Sequence, residues 1–171
     1  MGRELFDFAF KEYANRWKFK HPTLTDFNRC VEKESGLELD WYFEYWVNTN
    51  EVVDYAIGQI ADNGANTLVE IRRKGNMPMP IEILVTYADG KKEMLYIPLG
   101  LMYGSKKESS GGIQRTDLPA WPWTHPSYVI ELKASRSNIL SIEIEPTQRM
   151  ADVDRSNNSY KLPKLVPGPG K

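Results

Sequence analysis

Along residues 3 to 49 the apolar positions recur at helical spacing. Phe6, Ala9, Phe10, Tyr13 and Trp17 fall at i, i+3, i+4, i+7 and i+11, one face of a helix predicted from about Glu4 to Phe19. His21-Pro22 ends it, because the residue before a proline is pushed out of the α region. Thr23 predicts an N-cap, and Asp26 completes a T-x-x-D capping box. Phe27, Cys30 and Val31 form the buried stripe of that second helix, and Gly36 supplies its left-handed C-terminal cap. A third helix runs from about Glu38 to Asn48. Leu39, Tyr42, Phe43, Trp46 and Val47 line one face, with Trp41 and Tyr45 as a second strip on the flank. A helix apolar on more than one face sits between neighbours. These short helices carry more aromatic surface than they can cover among themselves, and the first starts within a few residues of Met1. The expectation is a helical partner ahead of residue 1, in a larger protein from which this chain is cut.

From Val52 onward the period changes to two. Asp54 to Ala61 predicts a strand and Asp62-Asn63-Gly64 a turn. Thr67 to Lys74 follows, with Val69 and Ile71 on one face and Glu70 and Arg72 on the other. The prolines of Met77-Pro78-Met79-Pro80 suit an edge or a bulge. Ile81, Ile83, Val85 and Tyr87 alternate inward along the next strand. Asp89-Gly90 predicts a two-residue hairpin loop, which would pair Val85 with Met94 and Ile83 with Tyr96. Leu99 to Thr124 is long and turn-rich, with Ser109-Ser110-Gly111-Gly112 at its middle. Two further strands follow, Ser127 to Ala134 with Tyr128, Ile130 and Leu132 inward, and Ile139 to Glu145 with Leu140, Ile142 and Ile144 inward. The fold class is therefore α+β: a helical segment over 1–51, an antiparallel β-sandwich of immunoglobulin or fibronectin type over 52–162, and an extended tail over 163–171.

Composition narrows the function. The chain of 171 residues is 41% hydrophobic and 26% charged, enough apolar material for a core. Its 22 basic and 23 acidic residues leave a net charge of −1, without the basic footprint of a nucleic-acid binder. No apolar run approaches the roughly 20 residues that span a bilayer, and Met1-Gly2-Arg3-Glu4 opens without the apolar stretch of a signal peptide. Cys30 is the only cysteine, which excludes an internal disulfide and a multi-cysteine metal site.

The catalytic motifs are missing. A hydrolytic zinc needs three protein ligands, but H-E-x-x-H is absent and the only histidines, His21 and His125, each precede a proline far apart in the chain. Neither Gly104-Ser105 nor Ser109-Ser110-Gly111 fits a nucleophile elbow. Cys30 lies on an apolar stripe, where a thiol is inert. Asp152-Val153-Asp154 with Asn157 and Asn158 hints at calcium, but Asn157 stands where the EF-hand loop needs glycine and Pro163 where it needs glutamate. A hydrogen-bonded turn is the preferred reading. Trp121-Pro122-Trp123-Thr124-His125-Pro126 is the oddest local feature: Trp121 and Trp123 form either a ligand platform or, the favoured reading, a plug at one end of the sandwich.

Taken together, Ala9-Phe10-Lys11-Glu12-Tyr13, Arg16-Trp17-Lys18-Phe19-Lys20-His21-Pro22-Thr23 with Asp26-Phe27, and Ser35-Gly36-Leu37-Glu38-Leu39-Asp40-Trp41-Tyr42-Phe43 with Trp46 resemble the last peptidase-domain helices of gluzincin zinc aminopeptidases of the aminopeptidase N type. Asp54-Tyr55-Ala56-Ile57 is similar to the entry of the β-domain that follows. Trp121-Pro122-Trp123-Thr124 and residues 148–158 are similar to the end of bacterial members that stop after a β-sandwich. The resemblance implies a non-catalytic C-terminal piece that braces the catalytic domain of its parent. Zinc, its ligands, the general base and the peptide substrates would belong to the parent, and no cofactor or catalytic residue to this chain. The partners implied are the rest of the peptidase and, through the exposed helical half, a second copy. An envelope or periplasmic location follows from the same resemblance. The competing readings are a binding module that takes peptide, carbohydrate or protein through Trp121 and Trp123 or a sheet edge, and a stand-alone enzyme without a recognisable constellation.

Overall fold

The computed structural model describes residues 1–105 and 112–162. The tail expected over 163–171, and Ser109 to Gly111 of the long connection, lie outside the described residues. Three α-helices come first: α1 (Arg3–Trp17), α2 (Leu24–Ser35) and α3 (Asp40–Asn48). The capping box is formed, with the Thr23 hydroxyl accepting from the Asp26 amide and the Asp26 carboxylate accepting from the Thr23 amide at 2.9 Å. Gly36 turns left-handed at φ 67° and donates to the Glu32 carbonyl at 2.8 Å, which ends α2. Ala9, Val31, Leu37 and Leu39 make a small helical core, with Phe27, Tyr42 and Phe43 packed on it. Trp41 and Tyr45, on the flank of α3, pack on the β core instead. The two apolar strips of α3 therefore join two cores.

Eight strands follow among the described residues: β1 (Tyr55–Asn63), β2 (Asn66–Arg73), β3 (Ile81–Tyr87), β4 (Lys92–Ile97), β5 (Gln114–Asp117), β6 (Ser127–Leu132), β7 (Ile139–Ile144) and β8 (Ser159–Lys161). They form a three-stranded sheet, β1-β2-β6, and a five-stranded sheet, β5-β4-β3-β7-β8. Val69, Ile71 and Ile130 from the first share one core with Ile83, Val85, Leu95 and Ile142 from the second. The architecture is α+β, helices then two sheets.

Three expectations are corrected. The five-stranded sheet is mixed, because β5 runs parallel to β4. The connection between Ile97 and Gln114 is long enough to bring the chain back to the starting end, as a parallel neighbour requires. The β3–β4 hairpin has three loop residues, not two: Tyr87 N donates to Lys91 O at 2.9 Å, and Gly90 sits at φ 84°. The register moves by one, pairing Val85 with Glu93 and Ile83 with Leu95. Met94 to Ile97 are all buried, so β4 offered no alternation that could set the register. Finally, Leu140 is exposed and Ile139 takes the inward place. The pairing of β3 with β7 shifts between Thr86 and Tyr87, which makes Leu140 the extra residue of a β-bulge.

Asp152 ties the turn ahead of β8 to the start of β1. Its buried carboxylate accepts from the Tyr55 amide at 3.0 Å, the Asp154 amide at 2.9 Å and the Asn158 side-chain amide at 3.1 Å. Asp152→Ala would leave those donors buried without an acceptor. It is expected to cost about 3 kcal/mol, read as a lower urea midpoint at unchanged m-value.

Candidate functional site

The tryptophans of the proline-rich loop part company. Trp121 is buried: its indole N–H donates to the His125 carbonyl at 2.9 Å, and its ring meets Tyr55 at 5.5 Å and Tyr128 at 5.4 Å. Its backbone amide is held by the Pro98 carbonyl at 2.8 Å. Trp121 therefore closes one end of the β core, whereas Trp123 is 45% exposed at the surface. His21 and His125 are both exposed, one between α1 and α2, the other after β5. Cys30 is buried beneath the Arg16 guanidinium at 3.7 Å. Asp152 to Asn158 form a hydrogen-bonded turn in which Arg155 donates to the Gln148 and Met150 carbonyls at 3.0 and 3.1 Å. Trp121→Ala is expected to destabilise the chain by about 3–5 kcal/mol. Trp123→Ala should stay within about 0.5 kcal/mol. Thermal unfolding of the two variants checks both.

The α2–α3 junction gathers three carboxylates. Oxygens of Glu32, Glu38 and Asp40 lie within 4.8 Å of one another. Each already serves the turn: Glu32 accepts from Leu39 N at 2.8 Å, Glu38 from Asp40 N at 3.4 Å, and Asp40 from the Asn28 amide at 2.8 Å. Burial first, and then the charges of Asp40 and Glu38, push the Glu32 carboxyl above its ordinary 4.5, against the lowering effect of the Leu39 amide. A carboxyl raised in the folded state stabilises below the unfolded value, and that contribution is lost as pH rises through the folded one. The helical half should therefore weaken as pH climbs from about 4 towards neutrality. Glu32→Gln, which keeps the acceptor, should flatten that slope in urea titrations at successive pH values.

A ladder of aromatic rings crosses the helices. Phe6 stacks on Phe10 at 5.9 Å, Phe10 meets Phe27 at 6.2 Å, Phe27 meets Phe43 at 6.0 Å, Phe43 meets Tyr42 at 5.9 Å, and Tyr42 meets Trp46 at 5.7 Å. Phe27 and Phe43 pack against the helical core, but Phe6, Phe10 and Trp46 are between 42% and 48% exposed. Phe8, Phe19, Leu24 and Val47 add to the exposed apolar surface of the same helices and their connections. Of the face expected along α1, only Ala9 is buried.

A concavity of about 750 Å³ opens between the sheets where β6 faces β4 and β5. Buried Leu95, Ile130 and Leu132 lie at its floor, and Lys91, Glu93 and Lys133 stand among its walls. Glu93 accepts from the Tyr87 hydroxyl at 3.0 Å and the Thr116 hydroxyl at 2.9 Å. Burial and this bond to a carboxylate push the Tyr87 phenol well above its usual range. Sequence reasoning missed this groove, because an unfilled place beside a strand leaves no mark in the strand's own residues.

No family model matches the chain, and no curated protein matches it.

Proposed function

We propose that this chain is a non-catalytic accessory piece of a larger zinc aminopeptidase of the aminopeptidase N type, docked through its helical half onto the catalytic part. The observation that carries the reading is the aromatic ladder, whose middle is packed and whose ends, Phe6, Phe10 and Trp46, are left half in water. Aromatic rings contiguous over several helices are the material of interfaces rather than of ordinary surface. The residue patterns over 9–57 supply the identity of the partner. Zinc and peptide substrate belong to the catalytic part in this reading, and the β half acts as a brace, with an envelope location carried over from the same family.

The β half, in the same reading, is an immunoglobulin-type sandwich. Its strand order supports this for seven strands: β1-β2-β6 opposite β4-β3-β7-β8 corresponds to A-B-E opposite C′-C-F-G, while β5, parallel to β4, departs from the antiparallel pattern. The second reading, a peptide-binding module, is favoured by the groove beside β6 and not by Trp121.

The reading frame upstream of Met1 tests the proposal directly. It is expected to encode H-E-x-x-H and a second glutamate further on; an open frame without them sinks the assignment. In the joined protein, replacing Phe6, Phe10 and Trp46 by serine should expose the junction to limited proteolysis. The isolated chain should lose only about 2–4 kcal/mol in the same variant, from the ring pairs of Phe10 with Phe27 and Trp46 with Tyr42.

A further inference from the structure

Asn63 is the only asparagine of the chain that a glycine follows. It ends β1, pairs with Asn66 at the start of β2, and leaves Gly64-Ala65 as the loop between them. Gly64 sits at φ 64°, the positive value that the first place of such a loop asks for. Asn63, Gly64 and Ala65 are all exposed. A Cβ built on Gly64 would meet nothing within 4 Å, so the Asn63–Gly64 peptide stands uncrowded on that side. The Gly64 amide makes no hydrogen bond with a described residue.

The Asn63 side chain is held from one direction. Its amide nitrogen donates to Glu131 Oε1 of β6 at 3.0 Å, and the Asn66 amide donates to the same oxygen at 3.0 Å. Strand β2 lies between β1 and β6, so the Asn63 bond reaches across the sheet. Together the two bonds fasten the turn to the outer strand.

We infer that Asn63 is a site of self-modification, deamidated by the backbone nitrogen of Gly64, and that Glu131 restrains the reaction. That nitrogen gives up its proton to solvent and forms a bond to Asn63 Cγ. The Cγ–Nδ2 bond breaks, and ammonia leaves from a closed succinimide ring. Water then opens the ring. Addition at Cγ gives aspartate; addition at the backbone carbonyl carbon gives isoaspartate, whose main chain runs through the former side chain. The sum is asparagine plus water to carboxylic acid plus ammonia, and no other reactant is needed. Glycine in the next position puts no side chain in the way of the attack. The bond to Glu131 opposes it, since a carboxamide held against β6 is not free to turn onto its own backbone. Either product sets a carboxylate against Glu131 where a donor had been, and like charges there repel. The turn is then released from β6. The inference rests on this turn alone and is independent of the peptidase reading.

The test is peptide mass mapping of the full chain, incubated folded in mildly alkaline buffer. Asn63 is expected to convert ahead of every other asparagine, with isoaspartate accumulating beside aspartate. E131A removes the restraint and should speed the conversion about three- to tenfold. Should that variant fail to fold, E131Q, which leaves only a neutral acceptor, carries the same arm with a smaller gain. N63D installs the product carboxylate directly. Its thermal midpoint should fall by about 2–5 °C at low salt, and added salt should restore part of the loss by screening. Three results would each overturn the inference. One is Asn63 left intact in the folded chain over a period in which the urea-unfolded chain converts it. Another is a rate in the Glu131 variant equal to that of wild type. The third is an N63D midpoint equal to that of wild type.

Discussion

The carboxylate of Asp152 accepts the backbone amide of Tyr55, 97 residues earlier in the chain. A carboxylate taken out of water must have its lone pairs answered, and this one is answered by donors from the start of β1, from its own turn and from Asn158. Val53 bridges to Asp152 beside it, and Val153 N donates to Val53 O at 3.0 Å. The turn from Asp152 to Asn158 is thereby locked to the strand that opens the β half. That lock holds β1 against the β7–β8 side of the second sheet. A three-stranded sheet held at one side cannot be centred on five strands, so the uncovered width appears at β6. The groove is the geometric consequence of the lock.

What was legible in the sequence was local. The capping box at Thr23 and Asp26, the left-handed Gly36 and the inward faces of β2 and β3 depend on neighbours a few residues away, and the residues at those positions permit little else. What failed depended on company. β4 is apolar on both faces, so its register rested on loop length, and Asp89-Gly90 serves a three-residue loop as well as a two-residue one. The bulge at Leu140 inserts one residue into a pattern that otherwise alternates, and nothing in Ile139-Leu140-Ser141-Ile142 marks which apolar residue is the extra one. β5 is a short polar strand, Gln114 to Asp117, without an apolar period to announce it.

The candidate surfaces divide the same way. The pairing of Trp121 and Trp123 in one loop suggested either a platform or a plug, and only packing separates a ring buried against Tyr55 from one left at the surface. The apolar face of α1 was visible as a period, yet a period fixes direction and not cover. Phe6 and Phe10 lie on the expected face and still meet water, because α2 is too short to cover them and α3 turns its flank to the β core. The place of β6 at the edge had no signature, since it is set by which strands pair among the described residues and not by the residues of β6 itself.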